Sequence, residues 1–165
     1  MFGRKNSDFE QIVRDHRAAV TAFARSHVHN SSVVDDIVQE TFIRVWRYLP
    51  TYRNEGSFEG WVIRICRNVA RDFVRKNPAQ AELTHDGATY DAYRNVDSSV
   101  MQAIAELSED HRLVITLCLV LGYSYEEAAD ILEAPIGTIR SRISRARETL
   151  QDQLASEYFP QRKIG

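Results

Sequence analysis

The segment LSEDHRLVITLCLVLGYSYEEAADILEAPIGTIRSRISRARETL, residues 107–150, carries the strongest structural signals in the chain. Its Gly122 is typical of a helix end, because glycine readily adopts the left-handed conformation found there. Ser124 and Glu127 then form a capping box, which starts a short helix that ends before Pro135. A turn and a second helix follow at once. This order of signals predicts a helix-turn-helix motif in the C-terminal part of the chain.

The second helix of this motif, which starts near residue 136, has one apolar side and one basic side. Its apolar residues recur at intervals of four, three and four, and we expect burial of Ile139, Ile143, Ala146 and Leu150. A recognition helix presents its first turns to base edges, and the residues predicted to do so are Arg140, Ser141, Ser144 and Arg145. The residues predicted to contact phosphates are Thr138, Arg142 and Arg147. The alternative, a surface helix with four arginines, leaves the capping box and the turn unexplained.

A second basic helix is predicted for residues 61–77. Its apolar residues form one stripe, and the opposite side carries, at intervals of three and four, Arg64, Arg67, Arg71 and Arg75. A face exposed only to water usually mixes acids with bases, whereas here only Asp72 lies nearby. The arginines therefore predict contacts with a phosphate backbone. A basic helix that merely aids solubility is the alternative.

The loop before this helix, residues 50–58, brings aromatic residues close to the arginines. Tyr52, Phe58 and Trp61 offer flat faces on which unpaired bases can stack. This combination favours melted or single-stranded DNA over plain duplex. The same aromatic residues can equally belong to the core, and for Phe58 the core is the preferred interpretation.

The segment 32–49 predicts an amphipathic helix whose polar side is unusual. Ile43 lies in the middle of that side, surrounded by Asp36, Gln39, Glu40 and Arg47. An apolar residue ringed by charge is typical of a protein-docking surface. An ordinary amphipathic helix with one stray aliphatic residue explains the pattern equally well, so both interpretations stay open.

The total charge of 21 − 23 = −2 hides an uneven distribution. Residues 1–80 carry a net charge of +4, residues 81–110 of −6 and residues 111–165 of zero. From Asn77 to Asp97 the chain shows no helical or strand periodicity, which predicts an acidic, flexible linker. Nearly all the rest shows helical spacing. We therefore predict an all-α fold of two small helical domains, and the near-neutral total does not exclude DNA as a partner.

The composition argues against several functional classes. No run of about 18 apolar residues is present, so no membrane insertion is expected, and the N-terminus lacks the apolar core of a signal peptide. Cys66 and Cys118 lie in apolar runs and are expected to be buried thiols of a cytoplasmic protein. The histidines offer only a loose pair at His27 and His29, so no metal site, cofactor or catalysis is expected.

Three motifs complete the pattern: D-x-x-Q-E-x-F at 36–42, W-x-x-R-I-x-x-N at 61–68, and Y-E-E-A-A at 125–129 with P-x-G-T-x-x-S-R-x-x-R-A-R at 135–147. Together they closely resemble domains 2 and 4 of bacterial sigma-70 family factors, in particular the small extracytoplasmic-function (ECF) group. The resemblance implies a subunit that directs RNA polymerase to specific promoters and initiates transcription in response to a stress signal. It also implies sigma domain 2 in residues 1–78, a linker in residues 79–97 and sigma domain 4 in residues 98–160.

The resemblance further implies a role for each surface. The predicted contacts with the clamp helices of the polymerase β′ subunit are Asp36, Gln39, Glu40, Ile43 and Arg47. The residues expected to recognise and melt the −10 promoter element are Tyr52, Trp61, Arg64, Arg67, Asn68, Arg71 and Arg75. Of these, Tyr52 and Asn68 match family positions near a flipped base. The helix-turn-helix is expected on the −35 element, and domain 4 also on the β flap.

Two further points follow from the resemblance. An anti-sigma factor is expected to hold the protein inactive by covering the polymerase- and DNA-binding surfaces. A stand-alone helix-turn-helix regulator is the alternative function, but it leaves the basic and aromatic N-terminal half unused.

Overall fold

The computed structural model describes residues 2–82 and 97–158, with the side chains of residues 8–80 and 97–155. These residues form eight α-helices and no strand, which confirms the all-α fold class. The helices are α1 (Phe2–His27), α2 (Ser31–Tyr48), α3 (Phe58–Lys76), α4 (Pro78–Glu82), α5 (Ser98–Glu106), α6 (Glu109–Ile115), α7 (Tyr125–Leu132) and α8 (Ile136–Tyr158). A 3₁₀ turn at Leu49–Thr51 follows α2, and a π turn at Thr116–Val120 follows α6.

The start of α3 is set by a serine cap. Ser57 Oγ accepts a hydrogen bond from the backbone N–H of Gly60, so the helix begins at Phe58, three residues before the predicted start. The loop before it passes through left-handed backbone at Asn54 and Gly56, whose φ angles are 60° and 84°. Both residue types tolerate this conformation, which lets the chain turn sharply into α3.

The predicted linker begins with a helix. Pro78–Glu82 form the short helix α4, whose proline stands in the first turn, where its missing N–H is not needed. The prediction of irregular chain from Asn77 onward is therefore wrong for these five residues. Residues 83–96, most of the predicted linker, lie outside the described residues.

The helix-turn-helix motif forms as predicted. Ser124 Oγ accepts the N–H of Glu127 at 3.1 Å, and the Glu127 carboxylate accepts the N–H of Ser124 at 2.8 Å. Gly122 has a φ of 77°, as expected for a helix end. The helix before it ends in a π turn, since the N–H of Leu121 bonds to the carbonyl of Thr116. The buried stripe of α8 is the predicted set Ile139, Ile143, Ala146 and Leu150.

The two halves of the chain pack against each other. The larger cluster of buried apolar residues contains Ile37 and Ile63 from the first half together with Tyr123 and Leu132 from the second. A smaller cluster joins α5, α6 and α8. The sequence predicted two domains connected by a linker, and it did not predict that they share an apolar core.

Helix α3 is buried on two sides, which leaves it a narrow solvent-facing side. One buried side is the predicted apolar stripe, which includes Val62, Cys66 and Val69. The other comprises Ile63, Arg67 and Ala70, at intervals of four and three. Through this second side α3 reaches α7, as the contacts of Arg67 show. The position of α7 therefore decides which basic residues of α3 are exposed.

Candidate nucleic-acid and partner-binding surfaces

Helix α2 presents apolar side chains to solvent beside α1. Ile43 is 47 % exposed and Trp46 is 44 % exposed, and both line an open groove of about 740 Å³. Phe9 of α1 also lines the groove, and its ring meets that of Trp46 edge-on, with the centroids 4.8 Å apart. The predicted position of Ile43 on the polar side of α2 is confirmed. A groove of this kind suits the apolar face of a partner helix.

The charged residues around this groove differ in how they are held. The exposed members of the predicted docking set are Asp36, Gln39, Ile43 and Arg47. Glu40 is instead paired with Arg44, whose Nε lies 2.8 Å from its carboxylate. Arg44 also reaches Asp72 of α3 at 3.3 Å, and the two acids together raise its pKa. Glu40 therefore helps to hold Arg44, and Arg44 links α2 to α3 through Asp72.

The solvent-facing side of α3 carries a row of polar residues that we call the basic row. Its members recur at intervals of four, three and four, and they are Arg64, Asn68, Arg71 and Arg75, all exposed. Asp72 offsets part of its charge through an ion pair of 3.1 Å with Arg75. Three guanidinium groups and one amide thus lie along about 17 Å of helix. The row can offer charge to phosphates and hydrogen bonds to a base edge.

Arg67 does not belong to the basic row. It is 8 % exposed, and its Nη2 donates a hydrogen bond of 2.8 Å to the carbonyl of Leu132 at the end of α7. Its Nη1 lies 3.0 Å from Oε2 of Glu133, an ion pair in which no N–H points directly at the oxygen. The prediction that all four arginines share one exposed side is therefore wrong for Arg67. The cause is the covering of that side of α3 by α7, and contact with DNA stays a prediction for this residue.

An aromatic cluster lies at the N-terminal end of α3. The ring centroids of Tyr52 and Trp61 are 4.8 Å apart, and those of Phe58 and Trp61 are 5.5 Å apart. Phe58 and Trp61 pack against the core, so the core interpretation of Phe58 is confirmed. Tyr52 is partly exposed, and its hydroxyl donates to the carbonyl of Gly56 at 3.3 Å. The cluster is thus a packed platform with an exposed edge near the basic row.

The first turns of α8 present most of the predicted −35 residues to solvent. The exposed ones are Arg140, Ser141, Ser144, Arg145 and Arg147. Thr138 is half-buried. Arg142 donates a hydrogen bond of 2.7 Å to the Asp110 carboxylate of α6, so it holds α8 against its neighbour. Within the described residues, this ion pair distinguishes Arg142 from the other three arginines of the set.

A hydrogen-bonded triad that sequence reasoning missed joins the two halves. Tyr123 Oη donates a 2.7 Å hydrogen bond to Oε1 of Glu59, whose Oε2 lies 3.3 Å from Nδ1 of His16. Burial and the neighbouring Glu59 carboxylate raise the pKa of Tyr123 well above its ordinary value. The three residues come from α3, α1 and the turn before α7. Patterns within one helix cannot predict these contacts, because His16 and Glu59 are 43 positions apart and Glu59 and Tyr123 are 64 positions apart.

Two further polar contacts join α1 to α6. His27 Nδ1 lies 2.9 Å from Oε1 of Glu109, and the hydrogen bond to His27 holds the pKa of Glu109 below its usual range. Arg112 Nε donates to the carbonyl of Ser26 at 3.1 Å. Burial lowers the pKa of Arg112. These contacts place α6 directly on α1.

The two cysteines differ in burial. Cys66 is fully buried between α3 and the rest of the core, which raises the pKa of its thiol to about 12. Cys118 lies in the π turn and is half-buried, and this burial raises its pKa. The prediction of a buried thiol is confirmed for Cys66, whereas the thiol of Cys118 is only half-buried.

Among the described residues, no three His, Cys, Asp or Glu side chains come close enough together to bind a metal ion. None of the helices within residues 2–82 and 97–158 is long and apolar enough to cross a membrane.

Family models match both halves of the chain. The model described as Sigma-70 region 2 matches residues 12–79, which contain Ile43, Trp46 and the basic row. The model described as Sigma-70, region 4 matches residues 97–150, which contain the helix-turn-helix.

Curated relatives match most of the chain. The ECF RNA polymerase sigma-E factor of Haemophilus influenzae is 32 % identical, over 88 % of this chain and 87 % of the relative. The RNA polymerase sigma-H factor of Pseudomonas aeruginosa is 30 % identical, over 88 % of this chain and 86 % of the relative.

Two solved structures are similar in sequence and in shape. One is the sigma factor RpoE in complex with the anti-sigma factor NepR from Bartonella quintana, with 31 % identity and a TM-score of 0.75 over 89 % of this chain and 96 % of that chain. The other is CnrH in complex with the cytosolic domain of CnrY, with 30 % identity and a TM-score of 0.70 over 92 % and 90 %. Sigma factors are transcription initiation factors. The chain belongs to the sigma-70 family of RNA polymerase sigma factors, in its extracytoplasmic-function group.

Proposed function

We propose that this protein binds core RNA polymerase through the groove around Ile43 and directs it to promoters with one DNA-binding surface in each half. The observation that carries the proposal is the basic row beside the aromatic cluster of Tyr52 and Trp61. Guanidinium groups bind phosphates, and exposed rings stack with unpaired bases, so the two features together suit strand-separated DNA. A regulator that binds only duplex DNA does not need aromatic rings beside its arginines, because the bases of a duplex are already stacked on each other.

The −10 element is the target proposed for domain 2, residues 1–78. Its contacts are Tyr52, Trp61, Arg64, Arg67, Asn68, Arg71 and Arg75. Asn68 is the exposed amide of the basic row, and an amide can read a base edge, while the arginines supply charge. We assign Arg67 to this set although it is buried in the structure.

The −35 element is the target proposed for domain 4, residues 98–160, which follows a linker at residues 79–97. Its contacts are Thr138, Arg140, Ser141, Arg142, Ser144, Arg145 and Arg147. Support comes from the exposure of the first turns of α8, the helix that follows the capped helix α7. This is the geometry in which a helix-turn-helix enters the major groove.

The proposed protein partners use the remaining surfaces. The β′ clamp helices bind at Asp36, Gln39, Glu40, Ile43 and Arg47, and the β flap binds domain 4. An anti-sigma factor is a further partner, because one of the similar solved structures contains the sigma factor RpoE in complex with the anti-sigma factor NepR. The groove beside Trp46 offers it an apolar docking site. We place the protein in the cytoplasm, where it acts without catalysis or a cofactor of its own.

A run-off transcription assay tests the proposal. Start sites mapped after overexpression supply a template, and purified core polymerase is assayed with and without the protein. Transcription is expected only with the protein, and it should vanish from a template whose −10 element is scrambled. Tight binding to duplex DNA by the protein alone, without any transcription by core polymerase, would favour the stand-alone regulator instead.

A further inference from the structure

An acidic side chain of α6 lies within the proposed −35 surface of α8. Asp110, in the first turn of α6, accepts a hydrogen bond of 2.7 Å from Nη2 of Arg142. We propose that Asp110 is a positioning residue for DNA binding: it competes with DNA phosphates for Arg142 and thereby limits the affinity of the protein for DNA of any sequence. The inference rests on the function proposed above for α8, and it states the condition under which Arg142 reaches DNA.

The first observation is the position of Arg142 within α8. Thr138, Arg142 and Arg145 recur at intervals of four and three, so they follow one another along one side of the helix. Thr138 and Arg145 are proposed DNA contacts, and Arg142 lies between them. Its side chain is 29 % exposed, and that of Asp110 is 60 % exposed. A phosphate that meets this side of α8 therefore comes close to both members of the ion pair.

The second observation is the difference between Arg142 and the other arginines of the −35 set. In residues 97–155, whose side chains the structure describes, Arg142 has the carboxylate of Asp110 as its partner. No ion pair of these residues involves the exposed side chains of Arg140, Arg145 and Arg147. A carboxylate offers a guanidinium the same charge-assisted hydrogen bonds that a phosphate offers. The two anions therefore compete for Arg142, and the free protein already holds one of them.

The third observation is the setting of Asp110. A negative charge in the first turn of a helix is stabilised by the N–H groups of that turn. Glu109, the other acid of this turn, is bound to α1, so Asp110 is the acid that faces α8. Apolar burial already joins the two helices, since Ile115 of α6 belongs to one buried cluster with Ala146 and Leu150 of α8. The helices therefore stay together when the ion pair opens.

The type of contact sets the size of the expected effect. A partly exposed ion pair shifts an equilibrium by about twofold to fivefold. An arginine that gains a duplex phosphate releases counterions, and it steepens the logarithmic dependence of affinity on salt by about 0.9. Loss of the Asp110 charge, with Arg142 retained, therefore has two measurable consequences, a moderate gain in affinity and a steeper salt dependence.

The test removes the charge of Asp110 and keeps the shape of its side chain. Asp110→Asn leaves Arg142 without its carboxylate, and Arg142→Gln, alone and combined with it, shows whether the effect depends on Arg142. Glu126→Gln is the matched control, because it removes one negative charge at an exposed position in the first turn of α7. Asp110→Ala is a second variant that also removes the acceptor atoms. Circular dichroism and urea unfolding establish that each variant is folded.

Fluorescence anisotropy of the full-length protein gives the affinity for two labelled duplexes at several salt concentrations. One duplex carries the −35 element from a mapped start site, and the other carries the same bases in scrambled order. We expect Asp110→Asn to bind both duplexes about threefold more tightly than the wild type, with a salt slope steeper by about 0.9. The Glu126→Gln control should keep the wild-type slope. The double variant with Arg142→Gln should lose the gain in affinity and the steeper slope.

Three results would overturn the proposal. They are unchanged or weaker DNA binding by both Asp110 variants, an unchanged salt slope, and a gain in affinity that persists when Arg142 is glutamine. Arg140→Ala separates this failure from failure of the proposed function. If Arg140→Ala weakens binding to the −35 duplex while Asp110→Asn does not strengthen it, only the inference about Asp110 has failed. If Arg140→Ala also leaves the affinity unchanged, the proposed role of α8 has failed as well.

Discussion

Tyr123, at the turn before α7, donates a 2.7 Å hydrogen bond to Glu59 in the first turn of α3. The bond joins the helix-turn-helix of one half to α3 of the other. Burial and the Glu59 carboxylate raise the pKa of Tyr123 still further above neutral pH, so its hydroxyl acts as the donor to this carboxylate. The two halves are therefore held together by directed polar contacts in addition to their shared apolar core.

Ile43→Glu should weaken binding to core polymerase and leave the fold intact. The side chain is 47 % exposed in the groove, so a charge there meets water in the free protein and an apolar partner surface in the complex. A central interface residue of this kind is worth about 2 kcal/mol, or about thirtyfold in affinity. Binding to core polymerase is measured by anisotropy of the labelled protein, and folding by circular dichroism.

Ile37→Glu is the contrast to that variant, since Ile37 lies on the buried side of the same helix. It should unfold domain 2. If Ile43→Glu unfolds as well, Ile43 is a core residue and the docking surface lies elsewhere.

Arg140→Ala and Arg145→Ala should each weaken binding to the −35 element by about 1–3 kcal/mol and relax its sequence preference. Both side chains are exposed on the first turns of α8, the part of the helix proposed to read base edges. Arg147→Ala, which removes a predicted phosphate contact, should weaken binding to all sequences alike. Competition with duplexes that carry single base-pair changes measures the difference. If all three variants bind every duplex more weakly to the same degree, the three arginines contact phosphates and none of them reads a base.

The contact between His27 and Glu109 should stabilise the fold only above a certain pH. The hydrogen bond holds the pKa of Glu109 below that of the unfolded chain, so the folded protein binds this proton less readily. Its contribution is therefore complete above about pH 4.3, the ordinary value for glutamate, and is lost as the pH falls below it. Urea unfolding of the wild type and of Glu109→Gln, at pH 6 and at pH 3, measures this contribution.

The difference in unfolding free energy between those two proteins should shrink at pH 3. The exposed Glu126→Gln control should show a much smaller dependence on pH, because no ion pair of the described residues involves Glu126. A difference that stays constant from pH 6 to pH 3 would contradict the assignment.

The two thiols should react at different rates. Burial raises the pKa of Cys66 to about 12 and that of Cys118 by less, so at pH 8 Cys118 should react slowly with a disulfide reagent and Cys66 should not react. Absorbance of the released thiolate follows the reaction. Cys118→Ala should abolish the reaction of the folded protein, and urea should expose both thiols of the wild type. Equal rates in the folded protein would show that the core opens locally at Cys66.

Local patterns predicted the helices and the C-terminal motif well. The capping box of Ser124 and Glu127 and the buried stripe of α8 depend on residues three or four positions apart, and the structure confirms both. The exposure of Ile43 was predicted for the same reason, since the sides of one helix follow from its sequence. The π turn before Gly122 was not predicted, because its hydrogen bonds differ from those of an α-helix by only one residue of spacing.

Arg67 shows where such reasoning ends. Because Arg67 lies opposite the apolar stripe of α3, the sequence predicted that it is exposed. In the structure Ile63, Arg67 and Ala70 form a second buried stripe, at intervals of four and three. Ile63 and Ala70, the two apolar residues at helical spacing from Arg67, are visible in the sequence as a sign of a second buried side. Its meaning depends on whether another helix covers that side, which periodicity within α3 does not reveal.

The sequence by itself determined the helices, their caps, the two basic surfaces and the family, because these depend on interactions within a few residues and on motifs read along the chain. Only the tertiary structure decided that domain 4 lies on α3, that Glu133 and Leu132 bind Arg67, and that Tyr123 reaches Glu59. The physical reason is the separation of these partners by 64 to 66 positions. Contacts over such distances form only when apolar burial between the halves brings the helices together.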